Sequence, residues 1–486
     1  MQRRRPASFA VTAVLAAACS AAPGPPSPVP PFSRAGSDGS ILYEVTPHEG
    51  GARLSVVASI PPGLPADFHV EPSMSEWVRD PEIETAAGWD RLPSSGDAWT
   101  LPGCPAGCRV RYGYDLAGAA AASGEVGYAA EHAGAYLAPP ATWLLHPAAG
   151  VPGVPFRFHV QTSRDTGFIT GVFPVEGAES TYGADLSDLP EASYSAFGRF
   201  EALRLDHARG KIDVAVANSP HATGNQTLVT WIQESARAVS TYYGRFPLPH
   251  AAIIVLLEEG ADIGHATALG NGGGAVVARI GRDVPPARLH RSWQMTHEML
   301  HLAFPNLARR HRWFEEGMAT YVEPIARARL GALTEEEVWR GIVKGMFFAQ
   351  PLPGEGGLDD TPTWGRTYWG GALFCLLADV RIRERTGNTR SLDDALRAVL
   401  ENGGHVGARW PIERVLELGD RATGTTVLRD LHAEMGLTPV HVDLADLWSR
   451  LGIRRVGDAM SFDDTAPLAA VRKAITAAPP PESLSR

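Results

Sequence analysis

Apolar and polar residues alternate in short runs between residues 39 and 220. Leu54-Ser55-Val56-Val57-Ala58-Ser59-Ile60 and Arg109-Val110-Arg111-Tyr112-Gly113-Tyr114 each put one apolar face on a pleated strand, and residues 156–160 and 211–216 repeat the pattern. Pro and Gly lie between these runs, so the region is predicted to be β-rich, with one or two sandwich-like domains. From Leu228 through Tyr242-Tyr243 the spacing turns helical. Residues 251–257 form one continuous apolar run, as a buried strand does, and residues 275–280 read as a further strand. The rest is mainly helical. Pro285-Pro286 starts and Pro305 stops a helix carrying Leu289, Trp293, Met295, Met299, Leu300, Leu302 and Phe304. Residues 444–451 and 466–478 show shorter helical patterns.

So apolar a helix is predicted to be buried, yet it contains His297, Glu298 and His301. Burying these groups costs free energy unless they are paired or bind a metal. They form the run His297-Glu298-Met299-Leu300-His301, an H-E-x-x-H sequence. Residues i and i+4 share a helix face, so both imidazoles can bind one ion, with Glu298 about 100° around the helix and within reach of a water on it. Catalytic zinc has three protein ligands and an open fourth position. A third ligand is therefore needed. Glu315 and Glu316 follow after a short loop, residues 306–312, and a turn into a second helix.

That second helix reads Glu315-Glu316-Gly317-Met318-Ala319-Thr320-Tyr321-Val322-Glu323. It resembles the N-E-G-F-A-x-Y-x-E segment of the gluzincin peptidases: the aminopeptidase N and leukotriene A4 hydrolase family and the related glycyl aminopeptidases. The resemblance implies a multidomain α+β chain in which a thermolysin-like, mainly helical zinc peptidase domain follows the β-rich region. It also implies one Zn2+ ion and a peptide or protein substrate. By position, Glu316 is the third ligand and Glu323 supports a zinc-bound histidine from behind. The loop before the third ligand is shorter here than in those families, which leaves Glu315 open as the alternative to Glu316.

Downstream, Thr367-Tyr368-Trp369-Gly370, then Ile382-Arg383-Glu384-Arg385-Thr386-Gly387 and Ser391-Leu392-Asp393-Asp394 follow in order. They resemble the Y-x-K-G … I-R-x-x-T-G-G … S-L-D-D pattern of the glycyl aminopeptidases, with Gly370 in place of Lys. The resemblance assigns Tyr368 the role of stabilising the oxyanion formed when water attacks an amide. The alternative is a core aromatic at a helix start. Aminopeptidases of this kind hold the substrate's amine with the Glu of a G-x-M-E-N strand. The comparable stretch here, Gly270-Asn271-Gly272-Gly273-Gly274-Ala275, carries no carboxylate. Gly272, Gly273, Gly274 and Ala275 are expected to pair with an extended substrate by β-augmentation. Glu258, Glu259 and Asp262 are nearby carboxylates. Exo and endo attack both remain open.

The implied chemistry is zinc-assisted peptide hydrolysis, with Glu298 as general base and Tyr368 sharing the oxyanion with zinc. One alternative is a different hydrolysis on the same fold. Another is a surface lipoprotein with structural zinc and partner-binding β domains, although a structural site needs no general base.

Composition and the N-terminus add a location. The formal net charge of −10 argues against a nucleic-acid surface. Gln2-Arg3-Arg4-Arg5 precedes a short apolar run, Phe9 to Ala18, too short to span a bilayer. It ends in Leu15-Ala16-Ala17-Ala18-Cys19, which resembles a bacterial lipoprotein cleavage site with Cys19 as the lipidated residue. Ordinary signal-peptidase cleavage near Ala18 to Ala22 is the alternative. The expected organisation is a leader over 1–19, a Pro-rich tether over 20–38, β-rich domains over 39–220, the catalytic domain over 221–440 and a helical C-terminal segment over 441–486. The chain is thus expected to be exported, periplasmic or on the cell surface, touching the membrane only through the lipid at Cys19. Cys104 and Cys108 can close a small disulfide in an oxidising compartment. A redox role is the sharper reading, without a thioredoxin-like pattern around it. Cys375 reads as a buried thiol.

Overall fold

A computed structural model describes residues 39–478, apart from 102, 103, 105, 149, 208 and 458. The leader, the tether and Cys19 lie outside the described residues.

Strands β1 (Ile41–His48) and β2 (Arg53–Ile60) bury every second residue, so one face of each meets a core. With β3 (Val78–Thr85), β4 (Gly88–Arg91), β5 (Cys108–Asp115), β6 (Pro155–Val160) and β7 (Thr181–Asp185) they form a seven-stranded sheet, in the order β7-β6-β1-β2-β5-β3-β4. The β1–β6 pair is parallel and β1–β2 antiparallel. Trp143 packs edge-on against Phe158 and Phe197 beneath this sheet. Cys104 and Cys108 are joined by a disulfide, and Cys375 is a buried free thiol.

A second, five-stranded sheet carries the site. It comprises β8 (Glu201–His207), β9 (Gly210–Ala217), β10 (His250–Glu258), β11 (Ile263–Leu269) and β12 (Ala275–Gly281), in the order β8-β9-β10-β12-β11. All residues of β10 but the last are buried, as expected of an inner strand covered on both faces. It pairs in parallel with β9 and β12, whereas β11 pairs antiparallel with β12 and forms an edge. The hairpin β8–β9 lies before the boundary expected at residue 220, yet its pairing with β10 makes it part of this sheet.

Helices follow: α1 (Gln226–Tyr243), α2 (Gln294–His301), α3 (Arg312–Arg329), α4 (Gly371–Arg385), α5 (Leu392–Glu401), α6 (Ile412–Thr423) and α7 (Val427–Met435). The single helix expected between Pro286 and Pro305 is interrupted. Ser292 is extended (φ −70°, ψ 148°) and separates the short helix Pro286–Arg291 from α2. The largest core runs from Leu205 to Ile475, so the segment after residue 440 packs into the same interior as α1 to α7. A smaller cluster, including Leu137, Ile169, Tyr194, Ile254 and Val277, joins the β-rich region to the second sheet. No helix among the described residues is long and apolar enough to cross a membrane.

Candidate metal centre and active site

Helix α2 holds His297 and His301 one turn apart, with ring centroids 5.0 Å apart. Helix α3 faces them and points Glu316 between them. One carboxylate oxygen of Glu316 lies 3.3 Å from Nε2 of each imidazole. The His297 and Glu316 side chains are buried, and that of His301 is 14% exposed. Two ligands on a tetrahedral ion with bonds of about 2.0–2.1 Å stand roughly 3.4 Å apart. The donor set and its spacing therefore fit zinc. The other Glu316 oxygen accepts from Nη2 of Arg312 at 3.1 Å. Burial opposes ionisation of Glu316, but His301 and then His297 outweigh it and hold the carboxyl well below its ordinary range.

A second cluster, His311, Asp359 and His432, also brings two imidazoles to a carboxylate. Its distances differ. His311 Nδ1 lies 2.7 Å from Asp359 and His432 Nε2 3.1 Å, and the Trp313 indole N–H donates to Asp359 at 2.7 Å. Arg310 Nε donates to the other His311 nitrogen at 3.0 Å. This is a satisfied hydrogen-bond network that ties the start of α3 to α7.

Glu298 is buried beside the histidines. One of its oxygens accepts the backbone N–H of Ala268, on the edge strand β11, at 2.8 Å. Burial pushes its carboxyl up to about 7, against the opposing pull of His301. Glu315 points elsewhere: it accepts the Leu307 N–H at 2.9 Å and so fixes the loop between α2 and α3. Glu323 is buried in an ion pair with Arg327 at 2.8 Å, and Arg327 also donates to the Arg291 carbonyl. Among the described residues no hydrogen bond joins Glu323 to His297 or His301. The support expected from it therefore runs through Arg327 to the segment before α2, not to a histidine directly.

Tyr368 lies on one wide turn, Gly365–Gly370, in which the Gly371 N–H reaches back to the Arg366 carbonyl. Gly317 on α3 faces Gly371, and a Cβ on Gly371 would overlap the Trp313 carbonyl. This close approach brings Tyr368 over the site, its ring 6.3 Å from that of His297. Burial first, then Glu316, push its phenol up to about 12.

The expected substrate strand is in the wrong place. Ala275 begins β12, an inner strand paired on both sides, opposite Ala252 and Leu269. Gly272 O accepts from Phe173, Gly274 N donates to Gly171, and Gly274 O accepts from Ala252. Gly272, Gly273, Gly274 and Ala275 thus have no free ladder to offer. The glycines are needed because Gly270 passes against Val406 and Gly273 against Gly171, both at backbone contact. The exposed edge is β11. Thr267, Ala268 and Leu269 line a cavity of about 300 Å³ with Glu298, His301, Glu316 and Tyr368. The signal available in the sequence was a hairpin: two short runs around Gly270-Asn271-Gly272. Sequence reasoning also missed Arg312. Glu258, Glu259 and Asp262 are ion-paired with Arg279, Arg282 and Arg288 and do not line the cavity.

No family model and no curated protein matches the sequence. Solved structures do match. An aminopeptidase N family protein from Idiomarina loihiensis aligns with 85% of this chain and 78% of its own, at a TM-score of 0.65 and 14% identity. The M1 zinc metallopeptidase from Deinococcus radiodurans aligns with 83% of this chain and 94% of its own, at a TM-score of 0.52 and 14% identity. The chain has the fold of the M1 zinc metallopeptidases. A variant of the Deinococcus radiodurans enzyme is known with a Tyr-Ser-Ala substrate bound, and it matches over 83% of this chain and 95% of its own at a TM-score of 0.52 and 14% identity. The motif resemblance to gluzincins and the M1 fold agree, the one resting on short segments and the other on alignments over 83–85% of the chain.

Proposed function

We propose that this chain is a zinc-dependent peptidase. The observation that carries the proposal is the trio His297, His301 and Glu316, with a Glu316 oxygen 3.3 Å from each imidazole, beside Glu298 and beneath the edge strand β11. Held by this trio, zinc supplies Lewis acidity, polarising the attacking water and the scissile carbonyl. An extended substrate lies along β11 as an added strand. Glu298 takes the proton from the attacking water and delivers it to the departing amide nitrogen. The Tyr368 phenol donates a hydrogen bond to the carbonyl oxygen as charge develops there. Arg312 orients Glu316 through the hydrogen bond to its second oxygen.

Each carboxylate lining the cavity has a resident partner: Ala268 N–H for Glu298, Leu307 N–H for Glu315 and Arg312 for Glu316. A buried substrate ammonium needs a carboxylate of its own. Thr267, Ala268 and Leu269, the β11 residues at the cavity, supply none, and we expect cleavage without a free N-terminus. The leader and Cys19 of the sequence support an exported enzyme tethered at a membrane face.

The test is to incubate the full purified chain with a peptide library in free and N-acetylated forms, and to measure its metal content. The proposal expects one zinc per chain and cleavage of both forms. A chain that binds zinc and cuts no peptide is not a peptidase. Cleavage of free peptides alone means that an amine anchor exists. A second zinc ion would reassign the His311–Asp359–His432 cluster.

A further inference from the structure

Large exposed hydrophobics are normally scattered singly, and a contiguous group marks a binding surface. Here Phe347, Phe348 and Trp364 are 78%, 46% and 60% exposed, and they stand in one row. Ring centroids are 5.5 Å apart from Phe347 to Phe348, 5.5 Å from Phe348 to Trp364 and 6.1 Å from Trp364 to Tyr368. The row thus ends at Tyr368, 6.3 Å from the zinc-binding ring of His297. Trp293, 49% exposed, flanks His297 at 5.1 Å.

The rings are held in place. Met346 and Ala349, on either side of the Phe pair, are fully buried. The buried Arg366, two residues before Tyr368, donates to the Ala349 carbonyl. The turn that presents Phe347 and Phe348 is therefore fastened to the turn that presents Tyr368. This surface and the reacting centre keep a fixed spacing.

We propose that Phe347, Phe348 and Trp364 form a subsite for bulky apolar side chains of an extended peptide substrate. It rests on the peptidase reading of the neighbouring site. A strand advances about 3.3 Å per residue. Trp364 then meets a side chain about two residues from the scissile bond and Phe348 one about three to four residues away. The occupant is a peptide because the row is continuous with the cleft at Tyr368. A lipid surface is disfavoured because the bordering loop, residues 350–364, carries Glu355 and Asp360 outside the His311–Asp359–His432 network and no lysine or arginine to meet anionic headgroups.

The test uses the full chain and a peptide of small neutral residues through which one Phe is stepped. Wild type should cut fastest with Phe two to four residues from the bond, on one side only, by about tenfold in kcat/KM, the ratio that one well-covered aromatic contact supplies. Trp364→Ala and Phe348→Ala should each remove most of that preference through KM, with zinc content unchanged. Both positions are exposed, so the variants should fold. If wild type cuts nothing, the peptidase reading fails, and the subsite is judged by binding alone: the Phe peptide should bind wild type about tenfold more tightly than Trp364→Ala. Variants with the wild-type ratio, or with unchanged peptide binding, overturn the subsite. Loss of vesicle binding in these variants without change toward peptides would assign the row to a membrane.

Discussion

Glu315 and Glu316 are chemically identical neighbours with opposite assignments. A step of one residue turns a side chain about 100° around a helix. Glu316 meets two imidazoles, and Glu315 caps the Leu307 N–H. Glu316→Ala is predicted to lose zinc and hydrolysis together. Glu315→Ala should keep zinc and lose stability by about 1–3 kcal/mol, the cost of an unsatisfied buried N–H. Elemental analysis of both purified variants checks this, and zinc lost only from the Glu315 variant would reverse the assignment. At this scale much was legible in the sequence. The i, i+4 spacing alone put His297 and His301 on one face with Glu298 beside them. The choice between Glu315 and Glu316 was less so, because it depends on how α3 rolls against α2. Arg327 lies one turn along the same helix and takes the Glu323 carboxylate, so the support expected for a histidine passes through a second side chain.

Elements are placed by backbones as much as by side chains. Gly317 and Gly371 let α3 and the start of α4 touch, which sets Tyr368 over Glu316. In Gly371→Ala the new Cβ would collide with a carbonyl that cannot swing away. Overpacking of this kind costs about 1–3 kcal/mol. The variant is predicted to melt at a lower temperature and to lose kcat more than KM, since Tyr368 is displaced from a role played in the transition state. Unchanged kinetics in a folded variant would remove Tyr368 from the mechanism. The glycines at 270–274 show what a sequence hides. Their smallness was visible, but not the two backbones that require it, Val406 on one side and Gly171 on the other. Sequence alone therefore suggests a strand for substrate where the fold has a tight internal packing point. The edge strand β11 has little apolar signature of its own, and only the sheet order shows it to be free on one side.

Across the whole molecule, the β-rich region buttresses the cleft. Ser193 donates to the Leu269 carbonyl at the end of β11, at 2.9 Å. Tyr194 is buried near Glu298, and burial first, then that carboxylate, push its phenol up to about 12. The alternating strands before residue 200 and the helical remainder were readable from periodicity. The union of the two was not, because contacts between Leu137 or Tyr194 and the second sheet leave no local pattern. What this architecture does is bury a carboxylate next to the trio His297, His301 and Glu316 and under a strand edge. The most direct measurement is therefore hydrolysis of one peptide by wild type and Glu298→Gln, side by side, with zinc content determined for both. Removal of a general base costs about 10²–10⁴-fold. The account predicts a fall of that order in kcat with zinc retained, and a zinc-loaded Glu298→Gln enzyme working at the wild-type rate would contradict it.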